Sequence, residues 1–351
     1  MTGRILTTLL AAAALAFAIV LGPAVRHANA RAAAPSAPRL SEVVRGSSFR
    51  TTTLAAAART RLAAAGFWGG ATTAASGEQV TVYFSNTYPQ DAALQQQWAN
   101  FLSQLVHGPE LPLLQAYMLP LSEVQSYCGR AALACYSAND STLIAPATDP
   151  ESDVSAEAVV AHEYGHHVAA HRNDAPWAAV DYGPKRWSSY ENVCALTASG
   201  ALHPGAEDQQ NYMTNPGEAW AETYRVLNQR RLGLPETSWD IVKMSLYPDA
   251  TALALAQQDV TQPWTGPTST TYRGTSGRTY TLATPLDGRM TVKVAAARKT
   301  RVQLTVGSAS WTTAAGGSRV VSRVVCGQRA TGVRVKRVAG KGGYTLTVAK
   351  P

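Results

Sequence analysis

The feature that most constrains this chain is the run Ala161-His162-Glu163-Tyr164-Gly165-His166-His167. On a helix, residues four apart lie on one face, about one turn apart. His162 and His166 then offer two imidazole nitrogens to one metal ion, and Glu163 brings a carboxylate to a water in the metal's open position. In this spacing two histidines fix Zn²⁺ and the glutamate takes the proton of the bound water. Asp149-Pro150-Glu151 reads as the helix start, with a capping carboxylate, a proline in the first turn and an acid near the positive dipole end. Residues 154–170 are rich in alanine and valine, which predicts burial. A buried helix carrying three histidines and a glutamate is costly unless those groups have partners, and a metal supplies them.

A catalytic zinc needs a third protein ligand. The metzincin solution, a histidine six residues after His166 and a glycine three after, fails because those positions hold Arg172 and Ala169. Two candidates remain, Asp181 in Val180-Asp181-Tyr182-Gly183 and Glu218, of which Glu218 is preferred. Asn215-Pro216-Gly217 is a helix-start signal, and Glu218 and Glu222 share one face of the helix behind it. With Glu222, Glu218 resembles the glutamate zincins, whose second helix carries ExxxD or ExxxE. That resemblance implies that the first carboxylate binds zinc and the second hydrogen-bonds the far nitrogen of the first histidine, fixing its tautomer.

The rest of the chain frames this site. Residues 1–30 read as a secretory signal peptide, with Arg4 ahead of an apolar run and a small-x-small cleavage site at Ala28-Asn29-Ala30. No other stretch is long and apolar enough to span a membrane. Residues 31–76 are alanine- and arginine-rich and read as a pro-segment or flexible spacer, with a helix over 41–65 broken by Gly66-Phe67-Trp68-Gly69-Gly70. Four cysteines in an exported chain imply disulfides. Cys128 and Cys135 are near neighbours suited to clip a loop, which leaves Cys194 and Cys326, although the sequence also permits the two other pairings.

Alternation predicts a strand over 78–85, and an apolar face of Leu94, Trp98, Phe101, Leu102 and Leu105 predicts a helix over 91–106. Residues 108–121, with three prolines, are expected to wrap the surface, and 141–145 to form a short strand; the resemblance to zincins implies a sheet edge there, where extended substrate can pair. A polar loop is expected over 171–185 and helices over 187–202, 236–247 and 251–258. From residue 268 onward, short alternating runs between glycine turns (279–281, 290–294, 302–306, 320–325, 333–338 and 344–348) predict a small β-sandwich.

Charge divides the chain in the same place. Residues 77–265 hold 8 Lys and Arg against 21 Asp and Glu, a balance of −13, and residues 266–351 hold 15 against one, Asp287, a balance of +14. The two units are expected to attract each other, and the basic one to suit an anionic surface such as a cell-wall polymer. No nucleic-acid partner is expected.

Cys128-Gly129, Ala134-Cys135-Tyr136, a short strand and then His162-Glu163-Tyr164-Gly165-His166-His167-Val168 together resemble the bacterial neutral zinc metallopeptidase family. The resemblance covers residues 79–228, most specifically 128–167. It implies a glutamate-zincin fold with zinc on His162, His166 and a downstream glutamate. That family has an aspartate four residues after the ligand glutamate, where this chain has Glu222.

The expected architecture is therefore α+β: a zincin-like metallopeptidase domain over 77–262 and a basic all-β sandwich over 268–351. The expected activity is hydrolysis of peptide or protein substrates outside the cell, with Glu163 as base and a neutral donor, among His203, Tyr212 and Tyr224, for the oxyanion. His167 and His171 read as satisfied polar residues at the helix end. The rival readings are a cell-surface binding protein with a structural metal site, against which Glu163 speaks, and a zinc amidase or peptidase acting on cell-wall peptides.

Overall fold

The computed structural model describes residues 60–62, 65–150, 153–207, 210–327 and 329–351. The signal-like segment and most of the helix expected over 41–65 lie outside these residues. Within them the chain is mixed α and β, with four sheets.

The first sheet has the order β1-β2-β3-β5-β4. β2 (Gln79–Ser85) forms where the sequence alternates, and its Val80, Val82 and Phe84 are fully buried. β1 (Phe67–Thr73) pairs antiparallel with it, so the glycine-bearing stretch assigned to the spacer is an edge strand. β3 (Gln115–Leu119) and β5 (Thr142–Pro146) continue the sheet in parallel. Residues 108–121 therefore do not merely wrap the surface. Pro109, Pro112 and Pro120 flank β3, outside the ladder that a proline would interrupt. Nor is β5 an edge. β4 (Cys135–Ser137) pairs antiparallel along it, tethered by the bond between Cys135 and Cys128 at the end of α2 (Leu121–Cys128). β5 is buried along its length, as a strand covered on both faces must be.

α1 (Ala92–Gln104), capped by Asp91, buries Trp98 and Leu102 in the core beneath this sheet. α3 (Ala156–Ala170) carries the histidines, and all of it except Glu157 and Ala170 is buried. It starts later than the sequence suggested. Ser155 is the cap, accepting the Ala158 N–H at 3.1 Å, while Asp149 accepts the Ala156 N–H from outside the helix. The following polar segment holds a two-residue hairpin, β6 (Asn173–Asp174) and β7 (Trp177–Ala178), and α4 (Ala179–Tyr182). The single helix expected over 187–202 is two, α5 (Lys185–Tyr190) and α6 (Val193–Ala198), separated where Asn192 turns left-handed at φ 56°.

α7 (Pro216–Leu232) runs from its Asn215 cap to Gly233, and α8 (Ala250–Thr261) follows. Residues 236–247 hold only a short 3₁₀ turn, not a helix. Arg225 donates to the carbonyls of Thr237 and Ser238, and buried Trp239, Ile241 and Val242 anchor the irregular chain.

Two antiparallel four-stranded sheets follow, β13-β10-β15-β8 and β12-β11-β14-β9. Their strands are β8 (Thr268–Gly274), β9 (Arg278–Ala283), β10 (Gly288–Ala296), β11 (Arg301–Val306), β12 (Ala309–Thr312), β13 (Ser318–Val325), β14 (Ala330–Ala339) and β15 (Tyr344–Lys350). Both sheets contribute to one core, with Met290, Val292 and Leu346 from the first and Val302, Leu304 and Val333 from the second. β8 and β12 gave no sequence signal because neither buries an alternating apolar set.

The two cores are separate but their shells are joined. Lys185, fully buried, donates to the carbonyls of Asp174, Ala175 and Asp287 and lies 2.7 Å from Asp174 Oδ1, with Trp177 and Trp264 against its ammonium. Arg329 donates to Ser189 O and Asn192 Oδ1. Each ion pair at the junction stays within one half, Lys185 with Asp174 and Arg329 with Asp287, and Lys185 reaches Asp287 through its backbone carbonyl. Cys194–Cys326 closes the junction covalently. No helix of the described residues is long and apolar enough to cross a membrane.

The two disulfides span 7 and 132 residues. Loop-closure entropy sets their ceilings at about 2.5 and about 5 kcal/mol. Denaturant titration of paired Cys→Ala variants should therefore show the larger loss for Cys194 and Cys326. Equal losses would contradict a junction that depends on the long-range bond.

Candidate metal centre

α3 and α7 cross at close range. A Cβ on Gly165 would stand 2.9 Å from Ala221 Cα and 3.2 Å from Tyr224 Cβ, so the crossing admits no side chain there. Trp220 Nε1 donates to Gly165 O at 2.8 Å and locks the pair. The first turn of α7 is fixed similarly. Asn215 accepts the Gly217 N–H at 2.9 Å, and a Cβ on Gly217 would lie 2.4 Å from Val180 O. Glu218 thus sits in the first turn, where the helix dipole favours an anion.

The consequence is a triangle of ligand atoms. His166 Nε2 lies 3.2 Å from His162 Nε2, and Glu218 Oε2 lies 3.2 Å from His162 Nε2 and 3.4 Å from His166 Nε2. A divalent ion held tetrahedrally at about 2.1 Å separates its ligands by roughly 3.4 Å. The His162, His166 and Glu218 group is thus one that could hold a metal ion, and all three residues are buried. Glu163, on the same helix, is fully buried and neither of its carboxylate oxygens has a hydrogen-bond partner. An ionisable group left so needs a reason beyond packing.

The electrostatics suit a cation. Burial lowers His166, whereas the burial of His162 is outweighed by Glu218 and Glu222, which hold it up at about 9. Burial would raise Glu218, but His166 and His162 pull it far below the ordinary carboxylate range. Burial pushes Glu163 up to about 8 against the pull of His162. Two ionised carboxylates bracketing one imidazole demand positive charge at their centre, as a proton on His162 or as a metal ion.

Glu222 Oε1 sits 2.9 Å from His162 Nδ1. Its own position is fixed by buried Arg225, whose Nε donates to Oε1 at 2.7 Å and whose second nitrogen pairs with Oε2. Burial raises Glu222, but Arg225 dominates and holds it at about 2. Glu222 thus has its own clamp. Sequence reasoning missed Arg225, although its place three residues after Glu222 was a readable i,i+3 pairing signal.

The other candidates fall where their surroundings put them. Asp181, on α4, is partly exposed and outside the ligand triangle, although it feels the charge of His166. Tyr212 Oη donates to Glu218 Oε2 at 2.8 Å, and burial with that carboxylate keeps the phenol protonated. Tyr224 is committed to Val106 O and His203 to Thr214 Oγ1, so of the three donors considered only Tyr212 reaches the cluster. His167 lies between Tyr136 Oη and Glu110 O, lowered by burial to about 4, and His171 contacts His167 O. Both are satisfied structural groups.

No family model matches the chain, and no curated protein does. Solved structures give only faint likeness. A de novo designed double-stranded β-helix aligns at 12% identity over 23% of this chain and 95% of its own, with a TM-score of 0.18. A conserved protein of unknown function from Streptococcus pyogenes aligns at 17% identity over 26% and 70%, with a TM-score of 0.17. A GH115 4-O-methyl-α-glucuronidase specific for decorated arabinogalactans aligns at 9% identity over 56% and 38%, with a TM-score of 0.19.

Two substitutions probe the geometry. Alanine for glycine within a helix ordinarily gains about 1 kcal/mol, but Gly165→Ala should instead cost about 1–3 kcal/mol in thermal unfolding, because the crossing is overpacked. A gain would contradict the contact. Arg225→Met should weaken metal retention roughly 10- to 100-fold in chelator competition, the usual cost of losing an outer partner of a ligand histidine. Unchanged retention would show that Glu222 needs no clamp.

Proposed function

We propose that this chain is a secreted zinc metallopeptidase of glutamate-zincin type. The observation that carries the reading is Glu163, a buried carboxylate without a hydrogen-bond partner, beside a His-His-Glu triangle of metal-ligand dimensions. Two histidines and a carboxylate are a common ligand set for catalytic zinc, and two disulfides suit an oxidising compartment. His162, His166 and Glu218 would hold the ion. When bound, zinc supplies a Lewis acid for the scissile carbonyl and for the attacking water.

The chain's own groups do the remainder. Glu163 takes the proton of the attacking water and delivers it to the leaving amine. Glu222, held by Arg225, keeps His162 in the tautomer that turns Nε2 towards Glu218. Tyr212, neutral, donates its one proton to Glu218 and would have to release that carboxylate to serve a developing oxyanion.

One observation favours a second reading. His162, His166, Glu218 and Glu163 are each 1% exposed or less, and closed sites are typical of structural metals. In that reading the chain is a metal-stabilised binding protein. The two readings part at Glu163.

Glu163→Gln in the full chain should keep about one zinc per molecule while casein and peptide hydrolysis falls roughly 10²- to 10⁴-fold. Hydrolysis that survives the substitution would remove Glu163 from the mechanism. Zinc bound without hydrolysis in the unaltered protein would decide for the second reading.

A further inference from the structure

The outer face of the β12-β11-β14-β9 sheet gathers positive charge without a counter-ion. Along β14, Val333 and Val335 point into the core, so Arg334 and Lys336 point out, and both are exposed. Arg334 stands opposite Thr305 of β11, Lys336 opposite Gln303, and Arg301 lies two residues before Gln303 on the same face. Successive outward residues on a strand are about 7 Å apart, and diagonal neighbours on adjacent strands are only slightly farther. Arg334 and Lys336 therefore stand next to each other, and Arg301, opposite Ala339 beyond the bulge between Arg301 and Val302, extends them to a row of three cations at uneven spacing. Arg301 is held only by a long 3.4 Å contact to Thr313 O. The one acid beyond residue 265, Asp287, is buried against Arg329 at the junction and cannot neutralise the row.

The neighbours of the row narrow its partner. Thr279, Thr305, Gln303 and Thr312 share this face and offer hydroxyl and amide groups. The aromatic rings of this sheet, Tyr280 and Trp311, pack against the core instead. Single-stranded nucleic acid is normally held by bases stacked on exposed rings, which this face lacks. The opposite sheet also carries three outward cations, Arg273, Arg289 and Lys293. They are scattered over β8 and β10, and exposed Val320 and Val324 stand opposite Lys293 and Arg289.

We propose that the β12-β11-β14-β9 face binds a linear polyol-phosphate polymer. Consecutive phosphodiesters of an extended strand would meet Arg334, Lys336 and Arg301 in turn, with guanidinium forks on phosphate oxygens and the threonines on the polyol. The polymer would hold the protein at a charged surface, leaving the acidic half turned to other partners. The proposal rests on charge and register alone and does not depend on the peptidase reading.

The test is binding of the full chain to fluorescent poly(glycerol phosphate) of defined length, followed by anisotropy at low and moderate salt. Affinity should fall with salt, and Arg301→Gln/Arg334→Gln/Lys336→Gln should weaken it about tenfold or more at low salt. Arg273→Gln/Arg289→Gln/Lys293→Gln removes the same charge from the opposite face and should change affinity by less than about threefold. Metal content and melting temperature of both triple variants, expected unchanged at these exposed positions, establish that each is folded. Equal losses in the two variants would reduce the effect to net charge and overturn the assignment. Tighter binding of an oligodeoxythymidine of equal charge would overturn it in favour of nucleic acid, and absence of binding to either polymer would end it.

Discussion

The bare contact between α3 and α7 is what the centre of this molecule depends on. Where Gly165 meets Ala221, two backbones approach with no side chain between them. Only then can a carboxylate at the start of α7 reach two imidazoles in the middle of α3. The distances of 3.2–3.4 Å among His162, His166 and Glu218 follow from that crossing. A methyl group at the contact would separate the helices by an amount comparable to the tolerance of a metal site. The Trp220 bond to Gly165 O, the Asn215 cap and the tight turn at Gly217 all serve to hold this crossing.

Behind His162, each polar group is held by a partner farther out. His162 is held by Glu222, Glu222 by Arg225, and Arg225 by the irregular segment after α7 through the carbonyls of Thr237 and Ser238. That chain explains why residues 236–247 are not helical, since their carbonyls serve a side chain. Glu163 is buried with neither carboxylate oxygen hydrogen-bonded, and the chemical reading turns on it.

Much of this was legible in the sequence where the signal was periodic or chemical. His162 and His166 follow from their spacing and Glu218 from its place on the second helix and the resemblance to the glutamate zincins, and the three converge. The strands of the C-terminal sheets were found wherever valines alternate, as in 290–294 and 302–306. What escaped was set by contacts distant in sequence. β3 was hidden among prolines whose place beside the strand cannot be seen locally. The edge role of β4 depends on a disulfide partner. The break at Asn192 needs one residue in a left-handed conformation, which no alternation reveals. Asp149 looked like a cap because it is an acceptor, but Ser155 holds the position nearer the helix.

The two halves have different tasks in this account. The acidic half buries a cluster that could hold a metal ion, and the basic half, joined through Lys185, Arg329 and Cys194–Cys326, presents charge to the outside. The central claim is that His162, His166 and Glu218 hold zinc. X-ray absorption at the zinc edge of the purified full chain tests it most directly. The account predicts two imidazole nitrogens and one carboxylate oxygen from the protein, with the imidazole signal halved in His166→Ala. Absence of zinc, or a coordination sphere unchanged by that substitution, would contradict it.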